Sequence, residues 1–205
     1  MAEPDLSPSW LGVDVGGPGK GFDIAVIDDR EVLELRARLG TSDVAALVES
    51  ARPAVVGIDS PRSCAPNGET SREGERRLAR AVCGIRWTPD RARVHASDYY
   101  GWVVEGLRLY AALAPLDVVV IEVFPTASWT RWLGPRAGTP RSAWSTDGLA
   151  GLGLAGIPAR TNQDQRDALA AAVTARLHSR GATEAFGEIY VPRQGRSRRF
   201  SPRPR

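Results

Sequence analysis

Three acidic residues stand at the ends of apolar runs: Asp14 in "WLGVDVGG", Asp59 in "AVVGIDSP" and Glu122 in "VVVIEVFPTASW". An acid at the end of a buried strand is costly unless something compensates its charge. Parallel strands end at one edge of a sheet, and binding crevices form there. Asp14, Asp59 and Glu122 are therefore expected to face one crevice. Carboxylates crowded together cannot all ionise without a cation. One or two divalent ions would meet that need, and oxygen-only ligands favour magnesium or manganese over zinc. A carboxylate-bound ion pair is also an arrangement that performs phosphoryl transfer. Further on, "DQRDALAAA" places Asp164 and Asp167 three residues apart on one helix face, followed by alanines that let the helix lie close to a sheet. Taken singly, a helical acid can serve the helix dipole and a strand-end acid can be solvated in a loop. Three strand-end acids and a helical pair in one chain make the shared site the stronger reading.

The elements that would carry these residues are legible in outline. Residues 10–16 read as a strand, followed by the glycine-rich turn "GGPGKG". "FDIAVIDD" and "REVLELRAR" read as a hairpin, "TSDVAALVESA" as a helix capped by Thr41 or Ser42, and "PAVVGID" as a buried strand. Residues 62–116 form a helical insertion, with helices expected over Ser71–Val82 and Asp98–Leu113. Residues 117–123 are a strand, and "TASWTRWLG" a short helix with Trp129 and Trp132 on one side as core or lid residues. The Gly- and Pro-rich residues 134–160 give no clear pattern. "TNQDQRDALAAAVTARLHSR" is a helix capped by Thr161 or Asn162 and stopped by Gly181, and "GEIYVP" a final extended segment. The order predicts an α/β fold: a mixed sheet with helices on both faces, in which the strands at 54–59 and 117–123 run parallel through a right-handed crossover.

Composition sets the limits. The chain has 205 residues, 42% of them hydrophobic, which suits a single domain over residues 1–192. No apolar run approaches the roughly 20 residues of a membrane helix, and "MAEPDLSPSW" has no signal-peptide pattern, so a cytoplasmic protein is expected. Two cysteines, Cys64 and Cys83, and two histidines, His95 and His178, give neither a zinc spacing nor a disulfide framework. Residues 193–205, "RQGRSRRFSPRPR", hold six arginines and no acid. Without them the net charge of +3 becomes −3, with 21 basic against 24 acidic residues. This tail is expected to be disordered, and Arg198 and Arg199 within it can hold a polyanion without sequence preference. Lys20 lies in the glycine turn, which lacks the phosphate-loop pattern because no Ser or Thr follows the lysine. Arg72, Arg76, Arg77 and Arg80 form a basic stripe, a solvated face in its plain reading. Lys20 and Arg76 join Arg198 and Arg199 as candidate nucleic-acid contacts.

"GVDVGG", "VVGIDSP", "IEVFPTASW", "DQRDALAAAVTA" and "FGEIYVP" occur in this order over most of residues 10–192. Together they resemble the family called domain of unknown function 429, described as predicted nucleases with a ribonuclease-H-like fold. Glu122 matches that family's Glu-x-aromatic-Pro motif, whereas Arg62 stands where the family more often has an apolar residue. The Asp-x-x-Asp-Ala-Leu-Ala helix also resembles the final motif of Holliday-junction resolvases of the RuvC type. The resemblance implies a ribonuclease-H-like fold and a nuclease dependent on magnesium or manganese. Its metal ligands would come from Asp14, Asp59, Asp164 and Asp167, and its catalytic residues would be Asp14, Asp59, Glu122 and Asp167. Two alternatives remain open: a catalytically silent module that binds nucleic acid or protein, and an actin- or sugar-kinase-like phosphotransferase suggested by Asp-x-Gly-Gly at 14–17.

Overall fold

A computed structural model describes residues 7–194. Its centre is one seven-stranded sheet. Strands β1 (Trp10–Val15) and β2 (Phe22–Ile27) are almost wholly buried and pair antiparallel, and β3 (Val32–Leu39) pairs antiparallel with β2 at the sheet's margin. Helix α1 (Thr41–Ala51) returns the chain to β4 (Val55–Asp59), which lies parallel to β1. Three helices, α2 (Glu73–Ala81), α3 (Arg91–His95) and α4 (Gly101–Leu113), occupy the crossover to β5 (Val119–Val123), parallel to β4 as expected. Helices α5 (Pro125–Leu133), α6 (Arg141–Leu149) and α7 (Gln163–Ser179) precede a closing hairpin, β6 (Thr183–Phe186) and β7 (Ile189–Pro192). The strand order is β3-β2-β1-β4-β5-β7-β6. An antiparallel meander continued by parallel strands, with helices on both faces, is the ribonuclease-H-like α/β fold.

Two cores sandwich the sheet. On one face Val44, Val48, Leu109 and Leu113 of α1 and α4 pack on Leu11, Val13 and Ile58. On the other, Trp129, Trp144 and the alanines of α7 pack on Trp10, Val55, Ile121 and Val123. Helix α7 is buried from Arg166 to Arg176, so it runs through the protein rather than over it. Its start is fixed by reciprocal capping: Gln165 N donates to Asn162 Oδ1 at 2.7 Å, and Asn162 N to Gln165 Oε1 at 3.0 Å.

Several expectations shift. The cap of α1 is Gly40, whose N–H donates to Asp43 Oδ2, while Thr41 and Ser42 lie inside the helix. The segment from Asp98 begins with a 3-10 turn, Asp98–Tyr100, before α4. The Gly- and Pro-rich stretch contains α6, and "TEAF" supplies the unanticipated strand β6. Arg193, assigned to the tail, is tied into the fold through bonds to Ala182 O and Thr183 O. Arg198 and Arg199 lie outside the described residues. Among the described residues, no helix is long and apolar enough to cross a membrane.

Candidate functional site

Strand register places Asp14 directly beside Asp59 at the ends of β1 and β4. Two residues earlier on each strand, Gly12 and Gly57 are also paired, and both face α7. A Cβ on Gly12 would lie 2.1 Å from Ala168 O, and one on Gly57 would lie 2.7 Å from Ala171 O. Only hydrogen at these positions lets the helix backbone rest on the sheet. That approach brings Asp167 to the aspartate face of the sheet edge, as the alanine pattern predicted. Asp167 is 2% exposed and fully engaged. It accepts from Trp129 Nε1 at 3.2 Å, from Gln163 Nε2 at 3.1 and 3.0 Å, and from Arg141 Nη2 at 2.7 Å.

Asp14 and Asp59 are half-buried in the wall of a cleft, and hydrogen bonding or pairing from other described residues does not reach either carboxylate. Burial, reinforced by the charges of Asp167 and Asp164 and opposed by Lys20, pushes Asp14 up to about 8. Burial and the charge of Asp14 hold Asp59 well above the usual carboxylate range, against Arg141. Asp167 is raised too, by burial, although Arg141 and its hydrogen bonds pull the other way. Asp164 is neutralised by Lys20, whose Nζ sits 2.7 Å from its Oδ2. That bond outweighs burial and raises the lysine's pKa.

Glu122 does not join the aspartates, which corrects the expectation of three equivalent strand ends. Its register partner on β4 is Ile58, not Asp59. Paired residues point the same way, so one step of offset sends Glu122 to the opposite face of the sheet. There it is 3% exposed and clasped by Arg72, with Nη1–Oε2 at 2.7 Å and Nη2–Oε1 at 2.5 Å. Arg62 N adds a bond at 2.8 Å. Arg72 also holds Glu75, which accepts from Thr88 N. Burial raises Glu122, with Arg72 opposing it.

A cleft of about 690 Å³ straddles this edge. Asp14, Asp59, Asp164, Asp167, Glu122 and Lys20 all line it, together with Arg72, Arg86 and Arg141. Arg76 does not; it bonds Glu69 and Ser71 within its own segment. Gln163 and Arg141 are site residues the sequence reading missed, while Trp129 and Arg72 were read as a core or lid residue and as part of a basic surface stripe. Gln163 stands four residues before Asp167 on one helix, a spacing that could have found it. Arg141 comes from the patternless segment and gave no signal.

The fit to a divalent ion is partial and instructive. Among the described residues, no three His, Cys, Asp or Glu side chains stand close enough to make a ready metal group. Asp167 is turned to Arg141 and Gln163, and Asp164 to Lys20. The adjacent, unpaired Asp14 and Asp59 offer the hard oxygen donors that magnesium or manganese prefers.

No family model matches the chain, and no curated protein does. Among solved structures it is similar to T. thermophilus RuvC in complex with a Holliday junction substrate, at 16% identity and a TM-score of 0.48 over 85% of this chain and 96% of that one. It is also similar to another Thermus thermophilus RuvC structure, at 15% identity and a TM-score of 0.48 over 84% and 96%. At this distance the likeness assigns no residue a role.

Proposed function

We propose that the protein is a metal-dependent nuclease that hydrolyses phosphodiester bonds of nucleic acid. The observation that carries this reading is the Asp14–Asp59 pair: two neighbouring carboxylates, both pushed toward protonation, at the wall of a cleft that arginines also line. Such a pair is destabilising unless a cation joins it. Asp14 and Asp59 would hold magnesium or manganese, with Asp167 as the third ligand once it exchanges Arg141. A bound ion there would supply an activated water and offset charge on the phosphate. Asp164 keeps Lys20 at the cleft wall, where its ammonium can donate to a phosphate oxygen. Glu122, through Arg62 N and Arg72, positions the segment after β4 and touches no substrate. Arg86 and Arg141 line the cleft as phosphate contacts in place of Arg76, while Arg72 stays bound to Glu122 and Glu75.

Manganese calorimetry tests the reading. Wild type should bind, and Asp14→Asn and Asp59→Asn should each lose at least tenfold in affinity and all cutting of labelled oligonucleotides. Unchanged affinity in both variants removes the site. The Arg141–Asp167 pair favours a second reading, a binding module in which the guanidinium permanently takes the ion's place. Nucleic-acid binding without manganese affinity would select it.

A further inference from the structure

The cleft continues beyond the carboxylates to the α4 face of the sheet. Two donors there have no partner among the described residues: Ser60 Oγ and Trp102 Nε1. Both residues line the cleft, and Ser60 is 2% exposed. A buried donor without an acceptor is rare in a folded protein and marks a place where a ligand can supply one. Their placement is enforced by close packing. A Cβ on Gly106 would lie 1.8 Å from Ser60 Oγ, and one on Gly101 would lie 2.6 Å from Pro18 of the glycine-rich turn. Trp102 sits between these two contacts on α4.

The surface around Arg86 and Tyr99 is aromatic and basic. Arg86 lines the cleft, and its guanidinium lies over the Tyr99 ring, 5.9 Å from the centroid. Tyr99 is 59% exposed and Trp87 44% exposed. They are two of the four large hydrophobic side chains left exposed among the described residues. Exposed rings next to arginines suit a chain whose units alternate flat faces with phosphates. In a duplex the base faces are stacked and the Watson–Crick edges paired, so both are withheld from the cleft.

We propose that the cleft takes a single strand of nucleic acid, with one unpaired base against Trp102 and the Ser60 hydroxyl, and the adjoining nucleotides over Arg86, Tyr99 and Trp87. This rests on the nuclease reading for where the scissile phosphate lies, beside Asp14 and Asp59. It adds the substrate's strandedness and the residues that select it.

The test is fluorescence anisotropy of the full chain with a labelled mixed-sequence single strand and with its duplex, in EDTA so that nothing is cut. The single strand should bind at least tenfold more tightly than the duplex. Trp102→Phe, which keeps a ring but loses the N–H, should weaken strand binding several-fold. Tyr99→Ala combined with Trp87→Ala, both at the surface, should weaken it roughly tenfold to a hundredfold. Equal affinity for duplex and strand, or wild-type binding by both variants, overturns the proposal. A manganese cleavage assay separates the two readings. Strand preference without cutting sinks the nuclease and leaves the strand site standing. Duplex cutting that the variants leave untouched does the reverse.

Discussion

On the α7 face of the sheet edge, Asp14 and Asp59 sit together, with no arginine or lysine among the described residues in contact. One strand further, on the α4 face, Glu122 is held by two hydrogen bonds from one guanidinium. All three acids stand near strand ends and border the same cleft, yet their roles diverge. Arg72 illustrates the difference. Burial works against its charge, but hydrogen bonds and charge from Glu122 and Glu75 more than offset this, and its pKa rises. A paired buried acid belongs to the scaffold, whereas an unpaired one at a cleft wall is a resource for chemistry.

The sharpest way to break this contrast is Arg72→Ala. It strands Glu122 and Glu75 without their cation and should cost about 3–5 kcal/mol in urea denaturation. A loss below about 1 kcal/mol would return Glu122 to the reactive group. Next, Gly12→Ala forces a methyl into the α7 backbone and should cost about 1–3 kcal/mol. Manganese affinity should fall with it, because Asp167 moves off with the helix; undiminished affinity would free Asp167 from the metal site.

Asp14→Asn probes the unpaired side through pH. Asp14 rises from its ordinary 3.8 to about 8, so between those values the folded protein keeps a proton that the unfolded chain releases. Its stabilising contribution is full below 3.8 and is lost as pH rises through about 8, with a slope on the order of 1 kcal/mol per pH unit. The metal-free variant should lack this slope in thermal melts from acid to mildly alkaline pH. A slope unchanged by the substitution would move the retained proton to Asp59. The smallest effect is expected from Arg141→Gln, since the Arg141 side chain is 42% exposed. Stability should change by less than about 1 kcal/mol, while manganese affinity rises several-fold as Asp167 is released. A fall in affinity would make Arg141 a supporter of the site rather than its competitor.

The parts legible in the sequence were those governed by local pattern. The apolar runs at β1 and β4, the capped alanine-rich α7 and the aspartates they carry are encoded within a few residues each. Glu122's direction is not, because it depends on which residue of β4 faces it across the long helical insertion. Arg72 read as part of a surface stripe, but it precedes α2 as its cap residue and turns inward while Arg76 stays on the helix. Arg141 reaches Asp167 from a stretch whose glycines and prolines hid a helix. The "TEAF" strand is too short to show a period by itself, and exists because β7 pairs with it.

The contact between the first strand and the last long helix also dictates when the site can exist. Trp10 Nε1 bonds Ser179 Oγ at 2.9 Å across 169 residues of chain. Closing so large a loop costs chain entropy, and contacts of this range slow folding. A growing chain that has emerged only through β5 carries Asp14 and Asp59 but neither Asp167 nor the helix that covers them. Gly12 and Gly57 have no helix against them at that stage. A chain that stops short of α7 therefore lacks the third ligand of the proposed site.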